Sequence, residues 1–119
     1  MQPVPKAHVA RLVRYLENLE KRNPKPLELE LNELANLMNK VGFNGPVNKL
    51  GTVRGFSHEL LQPRPMLVDG QFTVHITGKK VVTISYRDFK RYVLPYIDEV
   101  LDLLHEKKLI KEDDPNVSV

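Results

Sequence analysis

An α+β domain, mainly helical, is the fold the sequence predicts. It comprises three helices, a two- or three-stranded β element late in the chain, and a long C-terminal helix. Three observations predict it. Gln71–Tyr86 (QFTVHITGKKVVTISY) holds two runs rich in β-branched and aromatic residues around Gly78-Lys79-Lys80, the signature of a hairpin. Apolar residues recur at helical spacing before that stretch and again after it. The 119 residues are 41% hydrophobic and 28% charged, enough for one ordinary core.

From the N-terminus, Met1–Pro5 holds two prolines and no periodicity and reads as a loose arm. Lys6–Arg22 reads as a helix through Val9, Leu12, Val13, Leu16 and Leu19, ended by Asn23-Pro24-Lys25-Pro26 because a residue preceding proline leaves the α region. Leu27–Leu31 alternates, as a short strand does. Leu31–Val41 carries the stripe Leu31, Leu34, Leu37, Met38 and Val41, with Asn32 placed to cap it; Gly42 and Asn44-Gly45 break it. Pro46 suits the first turn of a third helix, Pro46–Leu61, with Leu50, Val53, Leu60 and Leu61 on one side. Asn48, Thr52, Gly55 and Glu59 point the other way, with Lys49 and His58 on the flanks. Gly51 and Gly55 each weaken such a helix by up to about 1 kcal/mol relative to alanine, and equally mark a break.

Gln62–Pro65 is a stiff connector, Met66–Val68 a short strand and Asp69-Gly70 a turn. In the hairpin, a three-residue turn through Lys80 puts Phe72, Val74 and Ile76 on one face with Val82, Ile84 and Tyr86. Thr73, His75, Thr77, Val81, Thr83 and Ser85 take the other. Two strands do not stand alone in water, so the apolar face rests on helices. Ser85 can cap the next helix, with Asp88 as its acidic partner. Phe89, Tyr92 and Val93 then face the core, and Pro95 forces a kink or a restart. Ile97, Val100, Leu101 and Leu104 continue the stripe. Residues 1–110 make one domain and 111–119 an acidic, frayed tail.

The net charge is only +3, but residues 40–91 carry nine Lys/Arg against three Asp/Glu, whereas 92–119 carry three against seven. Basic charge therefore gathers around the hairpin, as on a surface that meets an anionic partner, although a mixed solvated surface is the plain alternative. With no cysteine there is neither a disulfide framework nor a thiolate metal site, which suits a reducing, cytoplasmic setting. No apolar run approaches the roughly 20 residues that span a bilayer.

The order helix, short strand, helix, helix, hairpin, long helix resembles the winged helix-turn-helix family. The resemblance is carried by Leu31-Asn-Glu-Leu-Ala35, by Val47 and Leu50, and by the hairpin. The turn Asn39–Gly45 is longer than the tight form of the motif. The resemblance implies a transcription regulator that binds double-stranded DNA, with the third helix in the major groove and the hairpin as a wing. On that reading Lys49, Arg54, Arg64, Lys79 and Lys80 meet phosphates, Asn48 and Thr52 reach base edges, and His58 flanks them. It also implies a homodimer through Ile97, Val100, Leu101 and Leu104, against which stands a helix that closes its own core. A protein–protein interaction module without nucleic acid is the competing reading.

No enzyme is expected. Histidines 8, 58, 75 and 105 lack metal-ligand spacing, and no phosphate-binding glycine loop or cofactor motif occurs. Glu28-Leu-Glu30 and Asp113-Asp114 are paired acids with no partner base.

Overall fold

The computed structural model describes residues 1–112. In chain order its elements are β1 (Val4–Pro5), α1 (Lys6–Lys21), β2 (Glu28–Glu30), α2 (Leu31–Lys40), β3 (Asn44–Asn48), β4 (Val53–Ser57), β5 (Phe72–His75), β6 (Thr83–Ser85), a single turn α3 (Tyr86–Asp88), a π-helical turn (Phe89–Val93), α4 (Leu94–Glu106) and β7 (Ile110–Lys111). This is an α+β domain, with α1, α2 and α4 formed where the 3.6-residue periodicity lies.

The segment expected as a third helix, Pro46–Leu61, is instead an antiparallel β-hairpin. β3 pairs with β4, and β4 with β5, in one three-stranded sheet. The register Arg54↔Val74 and Phe56↔Phe72 turns Phe56, Phe72 and Val74 into the core, where each is at most 2% exposed. Gly55 lies opposite both Val47 and Thr73 on the outer face. Burying Phe56, which no helical stripe here includes, favours the strand over the helix.

The two runs around Lys79-Lys80 are strands, but they do not form a self-paired ribbon. β5 joins β4, while β6 joins β2 with Leu29 opposite Ile84. They touch at one bridge, Thr77↔Thr83, which leaves a five-residue loop, Gly78–Val82, rather than a three-residue turn. The third helix and the ribbon that carried the winged-helix resemblance are thus both absent among the described residues. The separation of faces holds even so: Phe72, Val74 and Ile84 are buried and Thr73 and His75 exposed.

Val4–Pro5 is not loose, since β1 runs parallel to β7. Asn32 does not cap α2; Glu30 holds the cap position without a side-chain bond. Ser85 does cap α3, its Oγ accepting from the Asp88 amide at 3.0 Å. The restart at Pro95 is real: the π-turn ends at Val93, and Pro95 sits in the first turn of α4, where a missing N–H is harmless. Tyr92 points outward, 40% exposed, rather than into the core. Met66–Val68 makes only an isolated bridge from Val68 to Gln71.

Ile97, Val100 and Leu104 are fully buried and Leu101 is 9% exposed, all in the core of their own chain. The stripe assigned to a dimer is therefore consumed internally. Lys111 is paired in β7 and Glu112 meets Lys6 at 3.5 Å; the rest of the expected tail, 113–119, lies outside the described residues. No helix among the described residues is long and apolar enough to cross a membrane.

Candidate nucleic-acid interface

One end of the β3–β4–β5 sheet gathers most of the residues picked out from the sequence. Asn48 closes β3, and the tip that follows is fixed by Lys49 N–H donating to Val53 O at 3.0 Å and Val53 N–H to Leu50 O at 3.1 Å. Gly51 takes φ +62° at the apex with open space around it. Arg54 folds back, its Nη1 donating to Gly51 O at 3.0 Å and Val53 O at 3.1 Å. This braces the tip and leaves the guanidinium's remaining N–H groups uncommitted.

Thr52 ties the tip to β5 twice. Its carbonyl accepts from Ile76 N–H at 2.8 Å, and its Oγ1 lies 3.0 Å from His75 Nδ1. The loop bearing Lys79 and Lys80 leaves directly from that junction. Its base is closed by Thr77 and Thr83, which exchange both backbone bonds, at 2.6 and 2.9 Å. Glu28 accepts from Thr83 Oγ1 at 3.1 Å and Thr77 Oγ1 at 3.4 Å, holding the base against β2.

Residues 44–57 and 70–87 contain no Asp or Glu. Lys49, Arg54, Lys79 and Lys80 have no carboxylate partner among the described residues. Leu50, at the tip, is 89% exposed.

Six of the eight expected contact residues thus share this end: Asn48, Lys49, Thr52, Arg54, Lys79 and Lys80. Two do not. His58 is buried; Nε2 lies 2.9 Å from Val41 O, Nδ1 accepts from Leu60 N–H at 3.1 Å, and the ring meets Phe43 edge-on. Burial holds its pKa below the usual histidine value. Arg64 is engaged by both carboxylate oxygens of Glu99, at 2.8 and 2.6 Å; that bonding raises the arginine's pKa and lowers the glutamate's. Neither group is offered to a ligand.

Sequence reasoning missed Leu50 and His75 as members of this end. Helical spacing places Leu50 on an apolar stripe instead, and nothing local says that His75 meets Thr52. No cluster of three or more His, Asp or Glu able to hold a metal ion occurs among the described residues. The chain matches no protein-family model, no curated protein and no solved structure.

Proposed function

We propose that the chain is a small DNA-binding protein that grips duplex DNA with the β3–β4 tip and the adjoining Gly78–Val82 loop, in keeping with a role in transcription regulation. The reading keeps the ligand implied by the winged-helix resemblance and replaces its docking element. The supporting observation is an end on which Lys49, Arg54, Lys79 and Lys80 have no acidic partner among the described residues, the one carboxylate nearby, Glu28, being bonded to Thr77 and Thr83 instead. Cations so placed are solvated singly, but together they suit a row of phosphates. β-Strand readers also enter the grooves of DNA, and here the β3–β4 turn, at the end of a three-stranded sheet, would lead. Asn48 then reaches a base edge, adenine by preference, and Leu50 offers an apolar contact to a thymine methyl.

Four phosphate contacts give a slope of log affinity against log salt of about −3.6. The test is a mobility-shift titration of random duplex at several salt concentrations. Replacing Lys79 and Lys80 by glutamine should weaken binding to every sequence and flatten that slope by about 2. An unchanged slope and affinity, or no retention of DNA even at low salt, sinks the proposal.

A further inference from the structure

The sheet forks at β5, and the fork leaves an open edge. In the β4–β5 register Thr52 and Ile76 form a hydrogen-bonded pair, as the 2.8 Å bond from Ile76 N–H to Thr52 O shows. Alternation along an antiparallel ladder then makes Arg54–Val74 and Phe56–Phe72 bonded pairs too. Thr73 and His75 consequently turn their N–H and C=O groups away from β4. The same parity applies at Thr77, whose outward groups are both taken by Thr83. Beyond that bridge β6 swings off to pair with β2. The position it vacates, alongside Thr73–His75, is a groove of about 250 Å³ lined by Met66, Tyr92, Tyr96 and β5 itself.

The walls suit an extended chain. Met66 is 71% exposed and Tyr92 40%, so both present apolar surface to the groove. Tyr96 is braced from behind by stacking on Phe72, centroids 4.5 Å apart. One cation stands beside the wall: the Arg91 guanidinium lies 5.4 Å from the centre of the Tyr92 ring. No lining residue is acidic, and the nearby Glu99 is neutralised by Arg64. The edge lacks the lysine, proline or bulge that usually blunts an exposed strand.

We infer that β5 is a docking edge for a short, acidic, extended peptide segment of a partner protein, which adds as a fourth strand in the place β6 leaves. Main-chain bonds to Thr73 and His75 hold it. Alternate residues face the Met66–Tyr92–Tyr96 wall and are apolar, and an acidic residue between them meets Arg91. The edge shares His75 with the end assigned to DNA, but it uses that residue's main chain and none of Asn48, Leu50, Lys49, Arg54, Lys79 or Lys80, so either reading can fail alone.

The probe is the capped peptide acetyl-Glu-Val-Glu-Val-Glu-amide, titrated into the 15N-labelled full chain. Amide shifts should centre on Thr73 and His75, with Tyr92 and Tyr96 affected. Of two versions N-methylated on alternate residues, one should lose about tenfold in affinity and the other little, because only one set of peptide N–H groups faces the edge. Lysine in place of glutamate should weaken binding. Thr73→Pro should weaken it about threefold to tenfold, since the N–H it removes is unused by the sheet. Should that variant not fold, the methylated pair decides alone. Absence of shifts, shifts elsewhere, or equal loss with both methylated versions overturns the inference. So does a dimer in light scattering that Thr73→Pro abolishes, which gives the edge to a second copy. Shifts at these amides from an oligothymidine and not from the peptide overturn it likewise.

Discussion

Arg64 and Glu99 form a two-pronged ion pair, Nη1 to Oε1 at 2.8 Å and Nη2 to Oε2 at 2.6 Å. It pins the connection between β4 and β5 to the outer side of α4. The planar fork of arginine matches a carboxylate, so the geometry is favourable, but both side chains remain about a third exposed.

Glu99→Gln should therefore lower the melting temperature modestly, and less at high salt. Hydrogen bonding from Arg64 holds the Glu99 carboxyl below its usual pKa. A carboxyl depressed in the folded state contributes stability above its unfolded value, near 4.3, and loses it as pH falls through the lowered folded value. Urea titrations across that acid range should show this loss in the parent chain and not in Glu99→Gln. Arg64→Ala should leave DNA affinity unchanged, in contrast to Lys79 and Lys80.

His58 is the second acid-sensitive point. Its ring is kept neutral by burial, against the smaller raising effect of the Val41 carbonyl. A histidine depressed in the folded state stabilises above its unfolded pKa of about 6.5, and that contribution drains away as pH drops from there through the folded value. His58→Ala should cost roughly 2–4 kcal/mol at pH 7.5, because it opens a cavity and leaves Val41 O and Leu60 N–H unpaired. The measured difference between parent and variant should shrink when denaturation is repeated near pH 5.

Two glycines with positive φ should respond unequally to alanine. Gly51, at φ +62°, has nothing within 4 Å of where a Cβ would sit. Its replacement should cost only about 1 kcal/mol of backbone preference. Gly45, at φ +125°, would bring a Cβ to 2.6 Å from Gly55 O and 2.9 Å from the Phe56 ring. Gly45→Ala should cost more than twice as much, measured by denaturant midpoint at constant m-value.

Leu104 tests where the C-terminal helix is buried. Leu104→Ala should destabilise the chain by about 2–5 kcal/mol, as a cavity in a core does. Light scattering should give the same mass for variant and parent, since the side chain is fully buried within one chain.

How much of this could be read in advance depended on the range of the signal. α1 and α2 are amphipathic over nearly three turns or more, so periodicity places both to within a residue at each end, and the same spacing finds α4 through Ile97, Val100, Leu101 and Leu104 without fixing its ends. The Ser85 cap and the restart at Pro95 are local chemistry and were equally legible. Leu27–Leu31 alternates and yields β2. Strand pairing is not local, which is why Phe72–His75 and Thr83–Ser85 were recognised as strands yet given to each other. Pro46–Leu61 failed for a different reason. Leu50, Val53, Leu60 and Leu61 fall at helical spacing by coincidence, whereas Leu50 lies in the open at the hairpin apex. The corrective signals were Gly51, Gly55 and the β-branched pair Thr52-Val53. Six contact candidates still fell together because a hairpin tip and a helix start gather neighbouring residues alike; His58 and Arg64 depended on contacts with Val41 and Glu99 that only tertiary structure supplies.

The parallel pairing of Val4 with Ile110 closes nearly the whole chain on itself. In an unstructured chain, closing a loop of that length costs about 4 kcal/mol, more than two residue pairs recover. The clasp must therefore snap shut late in folding, once α1 and α4 already hold its two halves near each other. By the same logic it is the first seam to open, and solvent deuterium should reach the Val4 amide well before those of β4.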